Sequence, residues 1–326
     1  MESKTRIKGN VHYVGVNDRN KHRFEAMWPL PYGVSYNSYL IDDEMVALVD
    51  TVDICYFEVY LRKIKQVIGE RPINYLIINH MEPDHSGSIR LIKQHYPEII
   101  IVGNKQTFGM IEGFYGVTGE QYLVKEGDFL ALGHHKLRFY MTPMVHWPET
   151  MMTFDETDGV LFSGDGFGCF GTVDGGFLDT RINVDKYWGE MVRYYSNIVG
   201  KYGSPVQKAL QKLGGLPISA ICSTHGPVWT ENIAKVIGIY DRLSRYDADE
   251  GVVIAYGSMY GNTEQMAEAI AEELSAQGVK NIVMHNVTKS HPSYIIADIF
   301  RYKGLIIGSP TYSNQIFPEV EALLSK

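Results

Sequence analysis

The sequence predicts two consecutive α/β domains, and three observations carry that reading. From Val11 to about Asp50 the apolar residues come in short runs broken by Gly and Asn; further runs then alternate with helical stretches. Beyond the acidic stretch Asp247-Ala248-Asp249-Glu250 the pattern restarts as a regular strand-helix alternation. The 326 residues suit two domains of ordinary size, placed at 1–248 and 251–326. With 45% hydrophobic and 21% charged residues, the chain can bury a core and does not read as disordered.

Taken in order, Val34-Ser35-Tyr36-Asn37-Ser38-Tyr39-Leu40-Ile41 and Met45-Val46-Ala47-Leu48-Val49-Asp50 read as antiparallel strands. A helical pattern over Phe57 to Ile68 leads through Pro72 into an apolar strand, Tyr75-Leu76-Ile77-Ile78, which runs straight into a polar cluster at His80. Strands follow at 99–102, 137–141, 151–154, 160–162 and 218–222, with helices near 105–113, 186–199 and 206–213. The first domain is therefore mixed α/β. In the second, a strand at 252–257 precedes a helix at 263–276, a strand at 281–287, a helix opened by Pro292, a strand at 304–308 and a last helical segment. Such alternation means a parallel sheet.

Thirty Lys+Arg against 38 Asp+Glu give a net charge of -8, which argues against nucleic-acid or anionic-membrane surfaces. The three cysteines, Cys55, Cys169 and Cys222, are far apart and outside any C-x-x-C pair, so neither a disulfide framework nor a cysteine metal site is expected. The N-terminus lacks the apolar run of a signal peptide, and no run of about 18 apolar residues occurs. A cytoplasmic protein, neither secreted nor membrane-spanning, is expected.

The sharpest signal is His80-Met81-Glu82-Pro83-Asp84-His85, four potential ligands immediately after an apolar strand. Residues two apart on a chain leaving a strand project the same way, so His80, Glu82 and Asp84 can converge while His85 turns to a neighbouring position. Downstream, His146, Asp165 and His225 each sit at or just beyond an apolar strand. Clustered carboxylates need an explanation, because an unpaired buried charge costs several kcal/mol and a metal would offset it. The remaining histidines, His12, His22, His95, His134, His135, His285 and His291, read as ordinary core or surface residues.

This order resembles the metallo-β-lactamase superfamily, whose usual signature starts His-x-His-x-Asp-His. The glutamate at the second position, Glu82, is what the flavodiiron proteins show, and all seven of their metal positions are filled here. The resemblance implies an αββα sandwich in which His80, Glu82 and His146 hold one iron, Asp84, His85 and His225 the other, and Asp165 bridges them. Family members differ in whether the residue matching His85 binds. Replacing an imidazole by a carboxylate makes the site harder and more anionic, which suits iron better than a zinc hydrolase site.

In the second domain, Ser258-Met259-Tyr260-Gly261-Asn262-Thr263 resembles the flavodoxin phosphate loop. Hydroxyls and backbone N–H groups at a helix N-terminus suit a phosphate monoester, and the loop lacks a Walker lysine. The third strand ends in Pro310-Thr311-Tyr312-Ser313-Asn314, which resembles the loop bordering the flavin ring. Both loops fall at carboxyl ends of parallel strands, where such folds bind FMN. Gly166-Phe167-Gly168-Cys169-Phe170-Gly171 satisfies G-x-G-x-x-G literally, but no helix begins after it, so it is expected to bring backbone close to Asp165 and not to bind a dinucleotide.

A flavodoxin domain usually has five parallel strands, and only residues 251–326 follow the break. A doubly wound sheet truncated at its C-terminus is expected, without the third flavin-contacting loop and with an apolar sheet edge exposed. The chain reads as part of a longer polypeptide, which bears on whether it retains FMN.

The resemblance further implies an oxidoreductase that reduces O2 to water, NO to N2O, or both. Electrons would come through FMN from rubredoxin or a similar donor, in a head-to-tail homodimer or dimer of dimers. Trp147 and Glu82 are expected near the partner copy's flavin. Two rival readings remain: a dinuclear zinc hydrolase of the metallo-β-lactamase superfamily, and a non-enzymatic sensor or electron carrier. Metal analysis separates the first and gas consumption with a reduced donor the second.

Overall fold

The computed structural model describes residues 4–326. Seven strands form one sheet in the order Arg6–Lys8, Val11–Tyr13, Tyr39–Ile41, Ala47–Val49, Tyr75–Ile77, Ile100–Gly103 and Gln121–Leu123. The first four run antiparallel and the rest parallel. The change of sense comes where helix Phe57–Ile68 enters the chain, because a parallel neighbour requires a crossover. That helix forms because Phe57, Tyr60, Leu61, Ile64 and Ile68 share one buried face, and it stops at Gly69, whose φ is 63°.

A second sheet runs Phe129–Ala131, Lys136–Met141, Met151–Asp155, Val160–Gly164 and Ala220–Ser223. Only its last pair is parallel, bridged by helices Asp185–Tyr194 and Gly203–Leu213. Strand alternation sends Tyr39, Ile41, Val49 and Ile77 inward to meet Leu137, Phe139, Val160 and Phe162 between the sheets. The alternate residues Leu40, Leu48, Leu76, Phe154, Leu161 and Ile221 pack outward with apolar helix residues. The layers are therefore αββα, as the family resemblance implied.

The helix expected over 186–199 is interrupted: Asp185–Tyr194 gives way to a widened π-type turn, Tyr195–Val199, and then a tight turn, Gly200–Tyr202. The Arg193 carbonyl is taken by side chains, accepting from Ser196 Oγ at 3.1 Å and Asn197 Nδ2 at 2.7 Å. Asn197 also donates to the Ser293 carbonyl at 3.0 Å, so the irregular turn meets helix Pro292–Arg301 of the C-terminal sheet.

That C-terminal sheet is wholly parallel, with Asp249–Tyr256 between Ile282–Asn286 and Tyr302–Gly308. Ala255 packs with Ile295, Val320 and Leu323 on one face, while Ile254 and Tyr256 pack with Ala267 on the other, which is doubly wound construction. Tyr302–Gly308 pairs on one side only among the described residues, and its Leu305 and Ile307 are 44% and 38% exposed. All three cysteines are free thiols. Among the described residues, no helix is long and apolar enough to cross a membrane.

Candidate metal centre and flavin loops

The two sheets deliver all seven sequence-predicted ligands to one end of the sandwich. His80 follows Tyr75–Ile77, His146 follows Lys136–Met141, Asp165 directly follows Val160–Gly164, and His225 lies just past Ala220–Ser223. Asp84 and His85 lie in the short helical turn Pro83–Ser86, which follows Glu82 and starts with Pro83 at its first position.

The side chains form two triads around one carboxylate. His146 Nε2 lies 3.1 Å from Glu82 Oε2, 3.3 Å from His80 Nε2 and 2.9 Å from Asp165 Oδ2. On the other side His85 Nε2 lies 3.2 Å from Asp165 Oδ1 and 3.6 Å from Asp84 Oδ1, and His225 Nε2 lies 3.3 Å from Asp84 Oδ2. All seven residues are buried.

Both carboxylate oxygens of Asp84, both ring nitrogens of His85 and Nε2 of His225 are buried without a hydrogen-bond partner. Leaving so many buried polar atoms unpaired costs on the order of 1–3 kcal/mol each. Cations between the triads would satisfy the Asp84 oxygens, His85 Nε2 and His225 Nε2, leaving only His85 Nδ1, so the donor set fits a dinuclear metal centre. Electrostatics agree. Burial resists charge on His85, but Asp84 and Asp165 overcome it and push its pKa up to about 10. Burial likewise opposes ionisation of Asp165, yet His85, His146 and His225 hold its carboxyl well below the usual range. The carboxylates and imidazoles thus favour one another's charged forms, the pattern of a site built to hold charge.

Supporting groups hold the ligands, and sequence reading missed them. The Glu149 carboxylate accepts from His80 Nδ1 at 2.7 Å and from the Met81 N–H at 2.8 Å. His225 Nδ1 donates to the Ser35 carbonyl at 2.8 Å, and the Thr224 hydroxyl donates to Asp165. Phe24 packs edge-on against His225, ring centroids 5.3 Å apart. Tyr194 is fully buried with its hydroxyl unpartnered, and burial together with the charge of Asp165 pushes its pKa up.

The glycine-rich decoy behaves as expected. After it no helix starts until Asp185, and a Cβ at Gly168 would sit 3.0 Å from the Asp165 carbonyl and 3.6 Å from the His225 side chain. The other histidines have local roles: His135 pairs with Asp155 at 2.9 Å, His285 with Asp298 at 2.8 Å, and His291 caps helix Pro292–Arg301.

The two flavin loops lie side by side. Tyr256 and Gly308 are paired residues of adjacent strands, and the Gly257 N–H donates to the Gly308 carbonyl at 2.9 Å. Gly261, at φ 90°, caps helix Asn262–Ala276 and donates its N–H to Ser258 Oγ at 3.1 Å. Met259, Tyr260 and Thr263 complete this loop; Thr311–Tyr312 turns back through Ser313 and Asn314, both left-handed, to Gln315–Ile316. Tyr260 and Tyr312 are 90% and 51% exposed, open to a planar ligand. A cleft of about 780 Å³ between the two domains reaches His146 and Trp147, walled by Trp28, Ile296 and Phe300. No residue of either flavin loop lines it.

A metallo-β-lactamase-type sandwich with a two-metal pocket, followed by a flavodoxin-like sheet, defines the class. The model of the ODP family beta lactamase matches residues 34–226, and the flavodoxin model matches 254–326. The chain is 32% identical to an anaerobic nitric oxide reductase flavorubredoxin of Vibrio vulnificus, over 98% of this chain and 66% of that protein. Among solved structures it resembles rubredoxin oxygen:oxidoreductase from the anaerobe Desulfovibrio gigas, with a TM-score of 0.93 and 31% identity over 97% of this chain and 80% of that one. It also resembles the flavodiiron protein from Giardia intestinalis, with a TM-score of 0.93 and 28% identity over 97% and 77%. The chain belongs to the flavodiiron family. It spans about two thirds of the length of the flavorubredoxins it matches.

Proposed function

We propose that this protein is an oxidoreductase reducing O2 to water, NO to N2O, or both, at a non-haem diiron site supplied with electrons through FMN. The observation that carries the reading is the Asp165 carboxylate, whose two oxygens face two different ligand triads. His80, Glu82 and His146 are assigned to one iron, Asp84, His85 and His225 to the other, and Asp165 to both. When bound, two ferrous ions supply two electrons at one place together with open positions for a diatomic ligand.

The remaining chemistry belongs to the chain. His225, donating from Nδ1 to Ser35, presents Nε2 as a lone-pair donor. The Tyr194 hydroxyl, buried and unpartnered, is free to donate a hydrogen bond within the pocket. Glu25 lines the cleft with His146, where Trp28 Nε1 donates to its Oε2 at 3.1 Å; partial desolvation and the Glu82 charge push its pKa up. Phe24, Phe170 and Tyr194 wall the centre from bulk water.

FMN is assigned to 258–263 and 310–314. Because neither loop lines the cleft at His146, a head-to-tail homodimer, alone or as a dimer of dimers, is the arrangement that brings a flavin to the metals, with Trp147 beside it. Rubredoxin or a similar small redox protein is the proposed donor. Free thiols suit a cytoplasmic location. The metal domain is placed at 1–248 and the flavin domain at 251–326.

Metal and flavin analysis of the purified protein, followed by anaerobic consumption of NO and of O2 with a reduced donor, tests this. Two irons per chain with gas consumption support it. Two zincs with ester or thioester hydrolysis and no gas consumption overturn it.

A further inference from the structure

The two triads are not equivalent behind their ligands. His80 presents Nε2 toward His146 and Glu82, and its other nitrogen, Nδ1, is 2.7 Å from a Glu149 oxygen that also accepts the Met81 N–H at 2.8 Å. Glu149 is itself fully buried, and its loop is tied down by Asn104 Nδ2 donating to the Glu149 carbonyl at 2.6 Å. A carboxylate there fixes the His80 tautomer with the proton on Nδ1, points the Nε2 lone pair inward, and makes the imidazole a stronger donor.

Nothing comparable stands behind the other triad. His225 is backed only by the neutral Ser35 carbonyl at 2.8 Å, and neither nitrogen of His85 has a hydrogen-bond partner. Asp50, a buried carboxylate nearby, accepts from the Asn79 N–H at 2.8 Å and from Asn79 Nδ2 at 3.1 Å and makes no hydrogen bond to a ligand imidazole. One pocket thus has a ligand imidazole hydrogen-bonded to a backing carboxylate, whereas in the other, among the described residues, Asp50 acts on His85 only through space.

We propose that Glu149 is a positioning residue that makes the two metal positions unequal, so that the pocket of His80, Glu82 and His146 fills first and holds its divalent ion more tightly than the pocket of Asp84, His85 and His225. Among the metal ligands, the Glu149 side chain hydrogen-bonds to His80, and it acts through that ring. The inference rests on the dinuclear reading of the site given above.

Anaerobic titration of the metal-free full chain with Co(II) alone, followed by ligand-field absorption and calorimetry, tests this. Two resolved binding steps are expected for the unaltered protein. Glu149→Gln keeps an oxygen to accept from His80 and Met81 but removes the charge; it should weaken the first step by about 10–100-fold and leave the second in place. Glu149→Asp, which restores the charge, should recover most of the first step. The proposal is overturned if Glu149→Gln leaves the first step unchanged, or if it weakens both steps equally with a lowered melting temperature of the metal-free protein, which marks a merely structural role. Failure of the unaltered chain to bind two ions would overturn the dinuclear reading as well.

Discussion

Asp165 Oδ2 lies 2.9 Å from His146 Nε2, while the second oxygen of the same carboxylate faces the opposite triad, 3.2 Å from His85 Nε2. One side chain therefore belongs to both halves of the cluster. Asp165→Ala should lose both metals, because each pocket loses an anionic donor at once, and gas reduction should fall to background. Asp84→Ala removes a donor from one side only and should retain about one equivalent. Metal analysis of the two variants checks the contrast; equal losses would show that Asp165 is not shared.

Gly226 follows His225 at φ 80°, and a Cβ there would sit 2.3 Å from Cys169 Sγ and 3.3 Å from the Cys169 carbonyl. Its N–H is donated to Ser35 Oγ at 2.8 Å, in the segment whose carbonyl orients the His225 ring. Gly226→Ala combines a left-handed backbone penalty of roughly 1–2 kcal/mol with overpacking of roughly 1–3 kcal/mol. A lowered melting temperature together with weaker metal binding is expected. An unchanged melt would mean that this turn relaxes freely.

Tyr194 buries a hydroxyl with no partner, packed against His225 with ring centroids 5.8 Å apart. If the hydroxyl serves bound ligand, Tyr194→Phe should raise the stability of the metal-free protein by about 1 kcal/mol, since an unsatisfied group is removed. The same change should slow gas reduction by roughly tenfold or more, the scale of one lost donor at a reacting group. Denaturant melts and stopped-flow kinetics on the same samples decide it. Reduced stability with full activity would assign the hydroxyl a purely structural part.

What could be read in the sequence depended on distance along the chain. His80 to His85 are neighbours, and an apolar strand points straight at them, so their chemistry showed at once. His146, Asp165 and His225 announced themselves by the same grammar, a polar residue just past an apolar run. Glu149 did not, because it acts on His80 across 69 positions and looks like any loop carboxylate. Phe24 lies in a two-residue strand too short to leave a periodic trace, so its packing on His225 was also hidden. The broken helix at 195–199 escaped because tyrosine, serine and asparagine there continue an amphipathic pattern while their side chains compete for the Arg193 carbonyl.

Far from the metal pocket, His135 provides a pH-dependent contribution to stability. It is buried with Nδ1 2.9 Å from Asp155 Oδ2, and Asp158 and Asp43 add negative charge around it, with the His134 ring alongside. Burial alone would discourage the charged ring, but the hydrogen bond and charge of Asp155 outweigh it, and its pKa lies above the ordinary 6.5. The folded chain therefore holds this proton more tightly than the unfolded chain. Its contribution is complete below pH 6.5 and is lost as pH rises through the folded value. His135→Gln keeps a donor for Asp155 but cannot charge, so it should cost more stability at about pH 5 than at about pH 9, with the two melting curves converging on the alkaline side. An equal loss at both values would mean that the ring is neutral in the folded protein and that the Asp155 contact is an uncharged hydrogen bond.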